Sequence, residues 1–325
     1  MGTNAPDWQR VRARYEAWWQ HERLDYPLLS VTAPREPSAA PDVPHSPEAL
    51  LAWFTDPELV IPRLERQIAS TYWAGDAFPV VFPMATSIPA IEAAYLGAPC
   101  RLLLDGPTGW CEPIIEDWAD RPTFAVDPDN FWWKATQRLL SEGARCSQGR
   151  YIVGIPDLQG GGQILASLRG AERLALDLID RPAVVHPALE AINAAWLHYY
   201  RVCFDIIHAA SDGPKGYVDW LGVWSDSPAV TVECDFAALI SPRMFREFFL
   251  PALEQQVRWI GRTIFHLDGP QSLPHLETLL ALPDLDGIQW VPGAGAAPMH
   301  EWIPLLRRIK GAGKLVVAGC EPHEV

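Results

Sequence analysis

The sequence predicts an α/β fold on a parallel sheet: a (β/α)8 TIM-type barrel preceded by an N-terminal helical extension. Three observations carry this. From Tyr151 onward, short apolar runs alternate with helix-length amphipathic stretches, the pattern of parallel strands joined by crossover helices. Seven strand-like runs can be counted, near residues 80, 153, 218, 231, 265, 289 and 316, against the eight of a barrel. Three of the runs end in groups able to do chemistry: Thr263 to Phe265 leads into His266-Leu267-Asp268-Gly269, Ala229 to Val232 into Glu233-Cys234-Asp235, and Lys314 to Val317 into Ala318-Gly319-Cys320-Glu321. In parallel α/β folds, the carboxyl ends of the strands are where functional groups gather.

Taken in order, Trp8 to Glu22 reads as an amphipathic helix, with Trp8, Val11, Tyr15, Trp18 and Trp19 on one side. Residues 25–32 (DYPLLSVT) read as a strand, followed by a Pro/Ala-rich connection over 34–47. Ser46-Pro47-Glu48 and Asp56-Pro57-Glu58 each start a helix, with an N-cap residue and proline in the first turn. A short strand over 78–82 and a helix over 88–96, ended by Gly97, come next. Asn130 caps a helix running to about Glu142.

Beyond strand 151–155 lie the turn Gly160-Gly161-Gly162 and helical stretches over 163–168, 171–179 and 182–209. Strands over 216–221 and 229–233, a helix over 242–260, strand 263–267, helix 273–281, strand 287–291, helix 298–310 and strand 314–318 complete the pattern. A count of seven leaves one strand to find. Either 25–32 supplies it, or the last strand and helix lie beyond Val325, which is the expectation adopted. The division expected is one domain, with 1–70 the helical extension and 71–325 the barrel.

Composition narrows the function. A net charge of −14 disfavours nucleic acid and anionic membrane as partners, since both require a basic surface. No apolar run reaches the roughly 18 residues of a membrane span, and the N-terminus lacks the pattern of a signal peptide. A cytoplasmic protein acting on a small molecule is expected. The six cysteines form no CxxC pair and are expected to be thiols, most of them buried. Most of the 15 tryptophans fall in helical patterns, where packing explains them.

Candidate site residues follow from the strand ends. His266 and Asp268 are two apart, so on a strand they point to one side, as a metal site or an acid/base pair needs. Alternation allows either Glu233 with Asp235, or Cys234 alone, to face inward. Asp235 can serve as a catalytic carboxyl or cap the turn before Ser241-Pro242, where Ser241 reads as a helix cap. Asp76, ahead of the first counted strand, is a candidate for the mouth or for a turn. Trp220, Trp224 and Trp290, at or near strand ends, are candidates to stack on a ring-shaped substrate. Gly161, in the glycine turn, could bring backbone amides to an anion.

Four segments resemble the uroporphyrinogen decarboxylase superfamily, which includes the cobalamin-dependent methyltransferases. They are Leu165 to Pro182 (LASLRGAERLALDLIDRP), Asp235 to Pro251 (DFAALISPRMFREFFLP), Phe265 to Gly269, and Gly319-Cys320-Glu321-Pro322, which stands where decarboxylases have Gly-Asn-x-Asp-Pro. The resemblance implies a (β/α)8 barrel with its site at the C-terminal mouth. The arginine loop of porphyrinogen decarboxylases, Arg-Gln-Ala-Gly-Arg-Tyr, has no counterpart, and Arg10, Arg12 and Arg14 do not match it. The methyltransferase branch binds zinc through His-x-Cys and a later Cys; here the first motif is His266-x-Asp268.

By that resemblance, His266 and Asp268 hold zinc with Cys320 or Glu233 as a further ligand, and Cys234 is a weaker candidate. The implied activity is methyl transfer between a small methylated compound and a corrinoid or thiol, the corrinoid being carried by a protein partner. The alternatives are decarboxylation of a tetrapyrrole-like or other carboxylated substrate, and a carbohydrate-active or ligand-binding barrel for which Glu233 and Asp268 are the available carboxylate pair.

Overall fold

A computed structural model describes residues 7–36, 44–84, 88–104, 106, 108–210 and 216–320. The chain forms two compact units. One takes residues up to Cys111, Val126–Leu158 and His198–Pro228; the other takes Glu112–Ala125, Gln159–Leu197 and Ala229 onward.

In the first unit, α1 (Trp8–Trp19) starts at Asp7, whose carboxylate accepts from the Arg10 N–H at 3.2 Å, and buries Val11, Tyr15 and Trp19 at four-residue spacing. Then come β1 (Ser30–Pro34), α2 (Pro47–Thr55), α3 (Pro57–Ser70) and β2 (Thr71–Gly75). The caps at Ser46 and Asp56 form as expected. Strand β1 pairs antiparallel with β2 and is exposed throughout, so residues 25–32 do not supply a buried parallel strand. β2 itself is not evident from the sequence, because its residues follow directly on a helix.

The unit continues with β3 (Val80–Val81), α4 (Ile91–Tyr95), β4 (Cys100–Leu102), β5 (Gly109–Cys111), α5 (Phe131–Ser147) and β6 (Ile152–Val153). β3 and β6 pair in parallel, and the Ile155 N–H donates to the Val218 carbonyl at 2.8 Å. The strand expected over 216–221 is reduced to one bridge, Tyr217 with Ser225. The Asp219 carboxylate accepts from the Leu221 N–H at 3.1 Å and its carbonyl from Gly222 at 2.8 Å, turning the chain before a strand can extend.

The second unit carries α6 (Gly161–Arg169), α7 (Ala171–Asp180) and the start of α8 (Pro182–Ala210), which runs on into the first unit. Next are β7 (Ala229–Glu233), α9 (Pro242–Met244), a π-turn (Phe245–Phe249), α10 (Leu250–Ile260), β8 (Arg262–Asp268), α11 (Leu276–Leu280), β9 (Gly287–Val291), α12 (Ile303–Gly311) and β10 (Leu315–Ala318). The four strands form a parallel sheet in the order β10-β9-β8-β7. Every residue of β7 is buried, as in a parallel sheet covered on both faces, and α10 packs on β7 and β8 through Leu253, Val257 and Ile260.

The parallel α/β expectation holds in these strands. Closure into a barrel is not among the pairings of the described residues. Among those residues, no helix is long and apolar enough to cross a membrane.

Candidate metal centre

Register builds the site. Glu233 on β7 pairs with His266 on β8, and His266 with Gln289 on β9. In a parallel sheet, residues directly paired share a face at the interstrand spacing of about 4.8 Å, so the three side chains stand in a row near the carboxyl ends of their strands. Asp235, two residues beyond Glu233, returns to the same side where β7 gives way to a 3-10 turn over Asp235–Leu239. One ligand atom from each of Glu233, Asp235 and His266 lies within 4.8 Å of the others.

The imidazole is oriented. His266 Nδ1 is hydrogen-bonded to Gln289 Oε1, an acceptor, so Nδ1 carries the proton of the neutral ring and Nε2 presents its lone pair. That nitrogen is 3.9 Å from Asp235 Oδ1. Glu233 is buried, whereas the His266 and Asp235 side chains are 12% and 35% exposed, so the group opens toward Asp235. Burial pushes the Asp235 carboxyl above the ordinary range; His266 opposes the shift and the negative charge of Asp268 adds to it.

The other expected ligands lie elsewhere. Asp268 shares the His266 side of β8 and its charge reaches Asp235, yet its carboxylate is outside the close group. Cys320 is exposed, two residues past the end of β10, and is not in the group either. Its neighbours Glu321 and Pro322 lie outside the described residues. Cys234 is outside the close group, its sulfur beside Gly162, and burial pushes its thiol up to about 12. A cavity of about 20 Å³ lined by Gly160, Gly161, Glu233, Cys234 and Phe265 has room for no more than one water. Gly161 opens α6 beside it, with no side chain capping the helix.

The remaining candidates lie outside the close group. Asp76 is fully buried, held by Arg14 at 2.9 Å and by the Leu29 N–H at 3.1 Å. Trp224 sits in a hydrophobic cluster with Val11, Tyr15, Phe78, Ile152 and Val218. Trp290 is fully buried, 4.9 Å from the Trp302 ring. Trp220 is half-buried in the Asp219 turn. Gln289 is the residue of this candidate site that sequence reasoning missed; a buried amide within the apolar strand GIQWV is the signal that could have found it.

No family model matches the chain, and no curated protein matches it in sequence. Among solved structures, it is similar to a methyltransferase from Methanosarcina mazei, with a TM-score of 0.55, 15% identity, and coverage of 95% of this chain and 92% of that one. The chain shares its fold with that methyltransferase. At this identity the likeness is one of fold.

Proposed function

We propose that the chain is a zinc-dependent methyltransferase, moving a methyl group between a small methylated compound and a corrinoid or thiol. The reading includes the (β/α)8 architecture of the uroporphyrinogen decarboxylase superfamily, with 1–70 as extension and 71–325 as barrel, and a corrinoid carried by a partner protein. One observation carries it: two carboxylates and an imidazole converge at strand ends, in a fold shared with a methyltransferase.

The donor set fits zinc, which takes His nitrogen and Asp or Glu oxygen and in catalytic sites keeps three protein ligands with one position open. Glu233, Asp235 and His266 would hold it. A zinc ion held there would lower the pKa of a substrate thiol or hydroxyl, the group that would accept the methyl. Gln289 keeps the His266 lone pair on the carboxylate side, as outer-shell partners of ligating histidines do. Asp268 adds a third negative charge that favours a cation.

The test is the metal content of the purified full chain after zinc is offered and excess removed. We expect about one zinc per chain, lost in Glu233→Gln, Asp235→Asn and His266→Ala, and zinc-dependent thiol methylation from a methylated corrinoid. A wild type that stays metal-free overturns the reading. It would favour metal-free proton transfer, for which the raised Asp235 carboxyl beside the His266 lone pair is the supporting observation.

A further inference from the structure

Cys100 and Cys111 meet across the antiparallel β4–β5 ribbon, each the register partner of the other. The Leu103 N–H donates to the Thr108 carbonyl at 2.9 Å, which makes 103 and 108 a hydrogen-bonded pair. By alternation along the ladder, 100 and 111 form a non-hydrogen-bonded pair, the kind whose Cα atoms approach to about 4.5 Å with side chains close together. Disulfides span Cα separations of about 4.4–6.8 Å. The two side chains are close enough to share a hydrogen bond, and both cysteines are unlinked thiols.

We propose that Cys100 and Cys111 are a redox-active dithiol that closes into a disulfide by exchange with a low-molecular-weight disulfide such as oxidised glutathione. Exposure sets the order of events: Cys100 is half-buried and reachable, while Cys111 is buried. The shared hydrogen bond lowers the Cys100 thiol below its ordinary value and raises that of Cys111, so Cys100 supplies the thiolate.

Cys100 attacks one sulfur of oxidised glutathione. That S–S bond breaks, a mixed disulfide forms on Cys100, and one glutathione leaves as thiolate. Cys111 then gives up its proton and attacks the Cys100 sulfur. The mixed disulfide breaks, the Cys100–Cys111 bond forms, and the second glutathione leaves. The chain loses two hydrogens, and oxidised glutathione is reduced to two thiols. Closing the disulfide also leaves the Cys111 sulfur, 3.6 Å from the Ala90 carbonyl at the residue that opens α4, without a proton to share.

The test equilibrates the full chain in glutathione buffers of increasing oxidised fraction, then alkylates free thiols and maps peptides by mass spectrometry. We expect a linked Cys100–Cys111 peptide, reopened by excess dithiothreitol, while the buried Cys203 and Cys234 stay reduced. Cys111→Ser should trap glutathione on Cys100, whereas Cys100→Ser should leave Cys111 unmodified. The wild-type map decides the matter even if a variant fails to fold. Recovery of Cys100 and Cys111 as alkylated thiols at the most oxidising ratio, with exposed Cys320 carrying glutathione, overturns the proposal.

Discussion

Asp235 is a carboxyl in surroundings that penalise its charge. Its folded pKa lies above the roughly 3.9 of an unfolded Asp, so the folded chain holds the proton more tightly. The stability that this proton contributes is fully present below the unfolded value and is lost as pH rises through the folded one. In metal-free protein, Asp235→Asn should therefore melt at a higher temperature than wild type near pH 7, and the gain should vanish by about pH 3; a lower melting temperature at pH 7 would refute this. Gln289 acts at one remove. On the zinc reading, Gln289→Leu should weaken zinc binding by about 10- to 100-fold by calorimetry while keeping the stoichiometry, because the candidate ligands remain and only the ring loses its anchor.

At this scale the sequence was half legible. The two-residue spacing put Asp268 on the His266 side of one strand, but it could not say that Asp235, from the neighbouring strand, comes nearer. Gln289 and the Cys100–Cys111 pair depend on register between strands, which spacing within one strand does not encode.

Helices α6 and α7 are tied by a buried ion pair. Arg169 Nε donates to Asp177 Oδ2 at 2.6 Å, and Trp118 Nε1 donates to the same oxygen at 2.9 Å. Arg169 also donates to the Ile115 and Glu116 carbonyls. Replacing one partner strands the other charge, so Arg169→Met should cost about 3–5 kcal/mol by denaturant unfolding. A loss under about 1 kcal/mol would mean that Asp177 finds another partner.

Elements with their own local chemistry could be read directly. Ser46, Asp56 and Asn130 all cap helices where the sequence places them, because an N-cap is decided within four residues. The strands from 229 to 291 also emerged, since their apolar runs are buried on both faces. The strand over 216–221 did not form, because one aspartate at 219 competes for the backbone of its own segment. The π-turn at Phe245–Phe249 left no mark in the apolar pattern that α10 continues.

The whole molecule carries 14 net negative charges, and self-repulsion on that scale opposes compaction. Raising the salt from about 10 mM to about 150 mM shortens the screening length from about 30 Å to about 8 Å. The melting temperature should rise with it, read in a buffer free of divalent ions; a fall would mean that attractive pairs such as Arg14 with Asp76 outweigh the net repulsion. Trp19, Trp118, Trp133, Trp196, Trp224 and Trp290 are core residues, in line with packing, whereas Trp110 and Trp259 are exposed.

Gly160 stands against the end of β7, where an added Cβ would come within 2.1 Å of the Glu233 carbonyl. Its role is therefore fixed by the strand that carries the candidate ligand. A library randomised over 159–162 and selected only for folded protein should return glycine at 160. Altering the chemistry of this site by directed evolution would have to work through the other strand-end loops, leaving this one invariant throughout the search.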